Sequence, residues 1–258
     1  MATKIVPNSN HLEKSNYNGA ICERKVIGFS HENGPVKPYS SVFYWSHMSS
    51  NFGSVISEHP HIGFEMITYV VKGSFETFDK EKNEWMELHA GDVSLVQAGK
   101  GICHTEKINP RSEVLQIWFD PDYEQFRKLN PVFRHYKAES FPISRKEGRK
   151  THLISGSNAP IHLNSRDVSL ELTEFSAGFH TIYCPEDAVL SGYVLDGFID
   201  IDETTLAKGD FFRIDECSET QIASLVNSKV FLTVSPYHPE YQTFAETNLS
   251  DNTTSKTD

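Results

Sequence analysis

Two short pairs in this chain have the side chains and the spacing for metal chemistry: His59-Pro60-His61, and His104-Thr105-Glu106 some forty residues later. Residues two apart on a β-strand point to the same side. Two strands facing one interior would therefore bring three imidazoles and one carboxylate to a point. That set suits a divalent first-row metal such as Fe, Mn, Co, Ni, Cu or Zn. On a six-coordinate ion it leaves two positions for water, dioxygen or a chelating substrate. A lone His-x-His is commonly a surface feature. The second pair, and the glycine-flanked run Gly99-Lys-Gly101-Ile-Cys-His104 that introduces it, turn the motif into a candidate site.

The elements that must position these residues read as strands. From about residue 40 to 235 apolar side chains alternate with polar ones, as at Val93 and Leu95, at Leu115, Ile117 and Phe119, and at Val168, Leu170 and Leu172. Glycine-containing and charged turns separate the runs. Helix signals are sparse. The best is Asp122 to Asn130, where Asp122 could cap and Tyr123, Phe126 and Leu129 share a stripe.

An internal repeat organises the strands. Tyr69-Val-Val-Lys-Gly73-Ser-Phe-Glu resembles Tyr193-Val-Leu-Asp-Gly197-Phe-Ile-Asp, and Leu88-His-Ala-Gly91-Asp resembles Leu206-Ala-Lys-Gly209-Asp. Gly73 and Gly91 are 18 apart but Gly197 and Gly209 only 12, which predicts a shorter hairpin in the second copy. Two all-β halves follow, expected over residues 1–130 and 131–245, with a polar disordered tail over 246–258. Closing each half into a barrel or double sheet would bury its strand edges. Counting without gaps from the repeated glycines, the second half carries Tyr183, Pro185, Ile222 and Ser224 where the first has His59, His61, His104 and Glu106. The first half is thus expected to bind metal, and the second to serve as scaffold or lid.

Bulk properties exclude several other roles. The net charge is −11, from 24 basic and 35 acidic residues, which disfavours direct nucleic-acid or anionic-membrane binding. The basic cluster Arg145-Lys-Glu-Gly-Arg-Lys150 reads as a solvated connector. No apolar run approaches the roughly 20 residues of a membrane span, and the N-terminus lacks a signal-like core. A cytoplasmic location is expected, or a nuclear one in a eukaryotic cell. Cys22, Cys103, Cys184 and Cys217 form no C-x-x-C pair and are expected as reduced thiols. Asn248-Leu-Ser250 and Asn252-Thr-Thr254 match glycosylation acceptors, a match without force in an unsecreted chain. Cys103 should face away from His104. His180 lacks a partner at ligand spacing, and Phe64, Tyr44 and Trp45 read as core or pocket lining.

The run His59-Pro-His-Ile-Gly-Phe-Glu65, the Gly91-Asp92 turn and Ala98-Gly-Lys-Gly-Ile-Cys-His-Thr-Glu106 resemble the signature of the pirin family. The resemblance covers about residues 20 to 240, and is specific in the first half but mainly one of layout in the second. It implies an all-β bicupin, two tandem jelly-roll barrels with few short helices, and metal in the first barrel on His59, His61, His104 and Glu106. Broader cupins place their carboxylate near Glu65, so Glu65 stands as the alternative ligand or as a residue orienting an imidazole. Gln97 lies near the place of the general cupin proline. The resemblance further implies one divalent transition metal, iron foremost, and an activity like quercetin 2,3-dioxygenase. Its substrates would be a small aromatic flavonol-like molecule and dioxygen, with Glu106 as candidate base. The alternative it implies is a non-catalytic, metal- or redox-sensing regulator that binds protein partners.

Overall fold

The computed structural model describes residues 2–80 and 83–243. They form twenty strands: β1 (Ala2–Val6), β2 (Leu12–Asn16), β3 (Ile21–Ile27), β4 (Val42–Ser50), β5 (Ser54–His61), β6 (Glu65–Lys72), β7 (Ser74–Asp79), β8 (Glu84–His89), β9 (Val93–Gln97), β10 (Ile102–Ile108), β11 (Ser112–Phe119), β12 (Val132–Tyr136), β13 (Ile143–Lys146), β14 (Arg149–Ser155), β15 (Ser169–Phe175), β16 (Gly178–Asp196), β17 (Phe198–Ile201), β18 (Thr204–Ala207), β19 (Phe211–Ser224) and β20 (Ser228–Pro236). No described helix is long and apolar enough to cross a membrane. Among the described residues the one α-helix, α1, spans only Tyr123–Phe126. Asp122 caps it, its side chain accepting from the Gln125 amide, but the expected continuation to Asn130 fails. Leu129 is exposed and anchors no further turn.

The chain divides into two compact units. One comprises, among the described residues, 12–138 and 240–243. Its two antiparallel sheets run β12-β9-β6-β11-β4-β3-β2 and β5-β10-β7-β8. The other comprises residues 1–11 and 139–239, with a nine-stranded sheet ordered β13-β14-β15-β20-β16-β19-β17-β18 to which β1 adds by pairing with β19. The division therefore departs from residues 1–130 and 131–245. β12 pairs with β9, which keeps residues 132–136 in the first sheet, while β1 pairs within the second half. The tail expected over 246–258 lies outside the described residues, as do both glycosylation-like motifs. Arg145–Lys150 is the β13–β14 hairpin, not a connector.

The repeat has a visible job. In each copy the Gly-Asp turn folds the aspartate back onto the amide three residues earlier: Asp92 accepts from His89 N at 3.0 Å and Asp210 from Ala207 N at 2.8 Å. The second carboxylate oxygen takes Ala138 N in one unit and Asn8 N in the other. The hairpin between the repeated glycines has six-residue strands in the first copy, β7 and β8, and four-residue strands in the second, β17 and β18. This is the shortening that the glycine spacing predicts.

Inside the first unit the side chains form layers, because neighbouring antiparallel strands hold like positions level. Met48, Val70 and Val114 belong to one apolar cluster; Tyr44, Met66 and Trp118 belong to another. Between them Ser46, Thr68 and Gln116 make a buried polar layer. In the second unit the matching pair on adjacent strands is Gly192 and Leu232, with Phe212 beside Gly192. A Cβ on Gly192 would stand 2.3 Å from the Phe212 ring, so the aromatic ring occupies the space a polar layer would need. β11 is buried on both faces, which its alternation of Leu115, Ile117 and Phe119 alone does not disclose.

A second polar group, on β3, anchors the aromatic cluster of the first unit. Lys25 is 3% exposed and donates to both Glu32 oxygens at 2.7 and 2.9 Å, with Glu23 at 3.7 Å. Tyr44 Oη donates to Glu23, and Lys25 Nζ lies 5.2 Å from the Phe29 ring centre. Removing one member of a buried ionic group leaves the others desolvated and unpaired, which costs about 3–5 kcal/mol. Lys25→Ala is expected to lower the unfolding free energy by about that amount in urea titration. A loss under about 1 kcal/mol would show that the group is hydrated and carries little stability.

Candidate metal centre

The histidines converge because one strand carries an extra residue. His104 pairs with His59, but Glu106 pairs with Ile56, so β5 spends three residues where β10 spends two. The bulge, within Ser57–Glu58, reverses the facing of β5 between Ile56 and His59. Ile56 packs into the apolar cluster below, and His59 and His61 still point inward with His104 and Glu106. The turns that follow clasp each other: Gly63 N donates to Gly99 O at 3.0 Å and Ala98 N to Phe64 O at 2.9 Å. Gly63 has φ +79, and a Cβ there would stand 2.3 Å from the Tyr123 ring, so this turn requires glycine.

His104 Nε2 lies 3.0 Å from both His59 Nε2 and His61 Nε2. One proton cannot serve both contacts well, whereas one cation at the common focus serves all three lone pairs. With ~2.1 Å metal–nitrogen bonds, ligands at right angles stand ~3.0 Å apart and ligands at the tetrahedral angle ~3.4 Å. The observed edges match the octahedral case. His59 Nδ1 donates to Ser57 O at 2.9 Å, which leaves its Nε2 as the free lone pair. Glu106 Oε2 is 3.9 Å from His59 Nε2 and Glu106 Oε1 is 4.0 Å from His104 Nε2. The carboxylate is thus drawn back from the imidazoles, toward Gln116 Nε2 at 3.3 Å. Gln116 also donates to Thr68 Oγ1, so the polar layer holds the carboxylate in place.

Burial sets the charges. It lowers His61 to about 4 and His104 to about 2, with the neighbouring histidines adding to the effect. It raises Glu106 to about 7 against the opposing hydrogen bond from Gln116. His61 and His104 are therefore neutral and ready to ligate at physiological pH, while Glu106 holds its proton up to near neutrality. Glu65 is fully buried and accepts from Gln97 Nε2 at 2.7 Å, so the residue near the general cupin proline position supports the alternative carboxylate.

Sequence reasoning missed Gln116 and Trp118. Both lie in an apolar run whose odd positions drew attention, and their inward-facing even register appears only once β11 is paired with β6. Phe64 stacks on Trp118 with ring centres 4.8 Å apart, and His61 meets both rings at 5.2 and 5.3 Å. Phe64 and Tyr44 belong to this aromatic cluster, whereas Trp45 is wholly buried. Cys103 is exposed, and His180 bonds the Ser176 carbonyl. In the second unit Tyr183 pairs with Glu219 and His180 with Ile222, without the bulge. The strand partner of Tyr183 is therefore Glu219, not the Ile222 of the ungapped count, because β19 runs through where the first half has the loop between β9 and β10.

Tandem cupin barrels with a histidine-rich candidate metal site in one of them define the class: this is a bicupin. Residues 20–119 match the family described as Pirin. A protein of Zymomonas mobilis named "Putative quercetin 2,3-dioxygenase" is 28% identical over 185 residues, covering 68% of this chain and 74% of its own. An Arabidopsis thaliana protein named Pirin-like protein 2 is 29% identical over 45% of this chain, the match spanning 37% of its length. The Escherichia coli bacterial pirin YhhW, solved in complex with nickel(II), shares the fold with a TM-score of 0.77 at 18% identity, covering 91% of this chain and 99% of its own. The family match spans β3 to β11 of the first unit and includes all four candidate ligands.

Two outcomes test the ligand assignment. Glu106→Gln is expected to lose at least about tenfold to a hundredfold in metal affinity while Glu65→Gln keeps stoichiometric metal, measured by competition with a chelating dye; the reverse ranking would transfer the ligand role to Glu65. Because Glu106 must give up its proton to ligate, affinity is expected to fall about tenfold per pH unit below pH 7. Calorimetry in buffers of different ionisation heat reads that proton directly, and a binding constant flat from pH 8 to 6 contradicts the raised carboxyl.

Proposed function

We propose that the chain is a metal-dependent dioxygenase of the quercetin 2,3-dioxygenase type, acting on flavonol-like substrates with iron as its metal. The observation that carries the reading is His104 Nε2 standing 3.0 Å from the Nε2 atoms of both His59 and His61, beside a carboxyl whose proton leaves near pH 7. The two 3.0 Å nitrogen separations would suit the right-angle ligation of iron, manganese, cobalt or nickel better than the wider tetrahedral spacing of zinc. The names of the Zymomonas relative and of its Pseudomonas aeruginosa counterpart, 28% identical over 73% of this chain, support the substrate class.

When bound, the metal supplies Lewis acidity and a common site for substrate oxygen and dioxygen. The residues of the chain do the rest. His59, His61, His104 and Glu106 would hold it, with His59 fixed by the Ser57 carbonyl. Glu106, aligned by Gln116, would take the proton of the flavonol 3-hydroxyl during ligand exchange, leaving the ring electron-rich. Phe43, Phe64, Ile102 and Phe133 are partly buried around Trp118, an apolar surface beside His61 fit to stack a planar ring.

Metal-loaded protein mixed with quercetin should consume dissolved oxygen and release carbon monoxide, as an oxygen electrode and headspace analysis would show. Trials with Fe, Mn, Co, Ni and Cu that give no turnover above the free metal would end this reading. Elemental analysis of the purified chain checks the metal independently. His104→Ala should come through purification without stoichiometric metal.

A further inference from the structure

The four cysteines stand far apart in sequence, yet two of them meet. Cys184 on β16 and Cys217 on β19 have their sulfurs 3.3 Å apart in the second unit, little more than 1 Å beyond the ~2.05 Å of a disulfide bond. We propose that Cys184 and Cys217 are a redox-active pair that closes reversibly to an intramolecular disulfide when a low-molecular-weight disulfide, such as oxidised glutathione, is the oxidant.

The fold explains why thiols face each other here. Counting back the 124 residues that separate Gly73 from Gly197, Cys184 stands where the first half has Pro60, between His59 and His61. In the first half the β5 bulge turns the histidines inward. The second half lacks that bulge, so Tyr183 points out, 68% exposed, and its neighbours Ile182 and Cys184 pack against the interior cluster. The inward position at this end of the strand is therefore a thiol. The two strands also have slack where the sulfurs meet. Pairing of β16 with β19 is interrupted between Tyr183 and Ala188, and Asp187 and Glu216 adopt left-handed φ of 54 and 51. A small shift of either backbone closes the remaining gap without breaking a continuous ladder.

Access and reactivity divide between the two. Cys217 is fully buried within the cluster, whereas Cys184 is half-buried and can be reached. The Cys184 thiol donates to Cys217, which holds the Cys217 thiol below its ordinary value and raises Cys184, with burial and the Glu171 carboxylate adding to the rise. The exchange runs in two displacements. Cys184, the accessible sulfur, attacks one sulfur of glutathione disulfide while its proton passes to the departing glutathione thiolate, and a mixed disulfide forms. The Cys217 thiolate then attacks Cys184 Sγ, forms the intramolecular bond and expels the second. The chain is oxidised by two electrons, glutathione disulfide is reduced to two glutathiones, and the two cysteine protons pass to them.

The test uses the full chain as C22S/C103S, which leaves only this pair, equilibrated in glutathione redox buffers and quenched with an alkylating agent. Expected are a species lighter by two hydrogens, a proteolytic fragment joining the peptides of Cys184 and Cys217, and reversal by dithiothreitol. In C217A, Cys184 should stop as the glutathione adduct. The unsubstituted chain supplies the control, because exposed Cys103 reports that the buffer oxidises thiols at all. Should both thiols remain alkylatable at ratios that modify Cys103, or should Cys184 accumulate as a stable adduct beside a free Cys217, the proposal is overturned. The readout is mass, not turnover, so it stands or falls apart from the dioxygenase reading.

Discussion

The imidazole nitrogen of His104, held 3.0 Å from those of both His59 and His61, makes a demand that protons cannot meet. The His61 and His104 rings are neutral because burial makes the charged form costly. Neutral rings present lone pairs to one another, and lone pairs repel unless something positive stands between them. Much of the first unit is arranged around this focus: the bulge in β5 that aims His59 and His61, the clasped turns that hold β5 and β10 in register, and the polar layer that retains Glu106. Together they make a site whose ligands are placed before the ion arrives, so little ordering is left to oppose binding.

The second unit shows the same sheet order without that demand. Where Gln116 faces Thr68 across adjacent strands, Leu232 faces Gly192, and Phe212 fills the space that glycine leaves. The β5 bulge has no counterpart in β16, and the loop between β9 and β10 is replaced by the continuous strand β19. Loss of the ligands is thus not four independent substitutions. It is a change of register at one strand pair, accompanied by apolar filling of the layer behind it. Restoring histidines at Tyr183 and Pro185 alone would place them on the outer side of the strand, where they could not meet a common ion.

Much of this was legible in the sequence, and the reasons are local. His-x-His and His-x-Glu are spaced by the period of a strand, so their shared facing follows from the pleat alone. The Gly-Asp turn recurs because an aspartate there satisfies the same backbone amide in both copies, and the glycine spacing measured the hairpin length. What could not be read depends on partners distant in the chain. The bulge at Ser57–Glu58 is visible only against β10. Gln116 is one polar residue in an apolar run until pairing with β6 sets it beside Thr68 and Glu106. β1 reads as the start of the first half, yet its strand partner lies more than two hundred residues on. Cys184 and Cys217, 33 residues apart, meet only because β16 and β19 are neighbours.

The raised carboxyl of Glu106 connects the architecture to chemistry most directly. A carboxylate that was ionised in the absence of metal would sit in a buried layer with a single amide donor, an arrangement that desolvation opposes. Holding the proton until near neutral pH removes that cost from the metal-free fold, and giving it up on ligation couples the metal to the solvent proton. The same property makes the group a fitting acceptor for an acidic substrate hydroxyl. Its proton affinity lies close to neutrality, so it can take a proton and release it again without a large loss in either direction. Gln116 serves both tasks, donating to the carboxylate from within the polar layer. A leucine there, as at Leu232 in the second unit, would leave the carboxyl without its donor, and this one exchange separates a barrel interior able to keep an acid from one filled for packing alone.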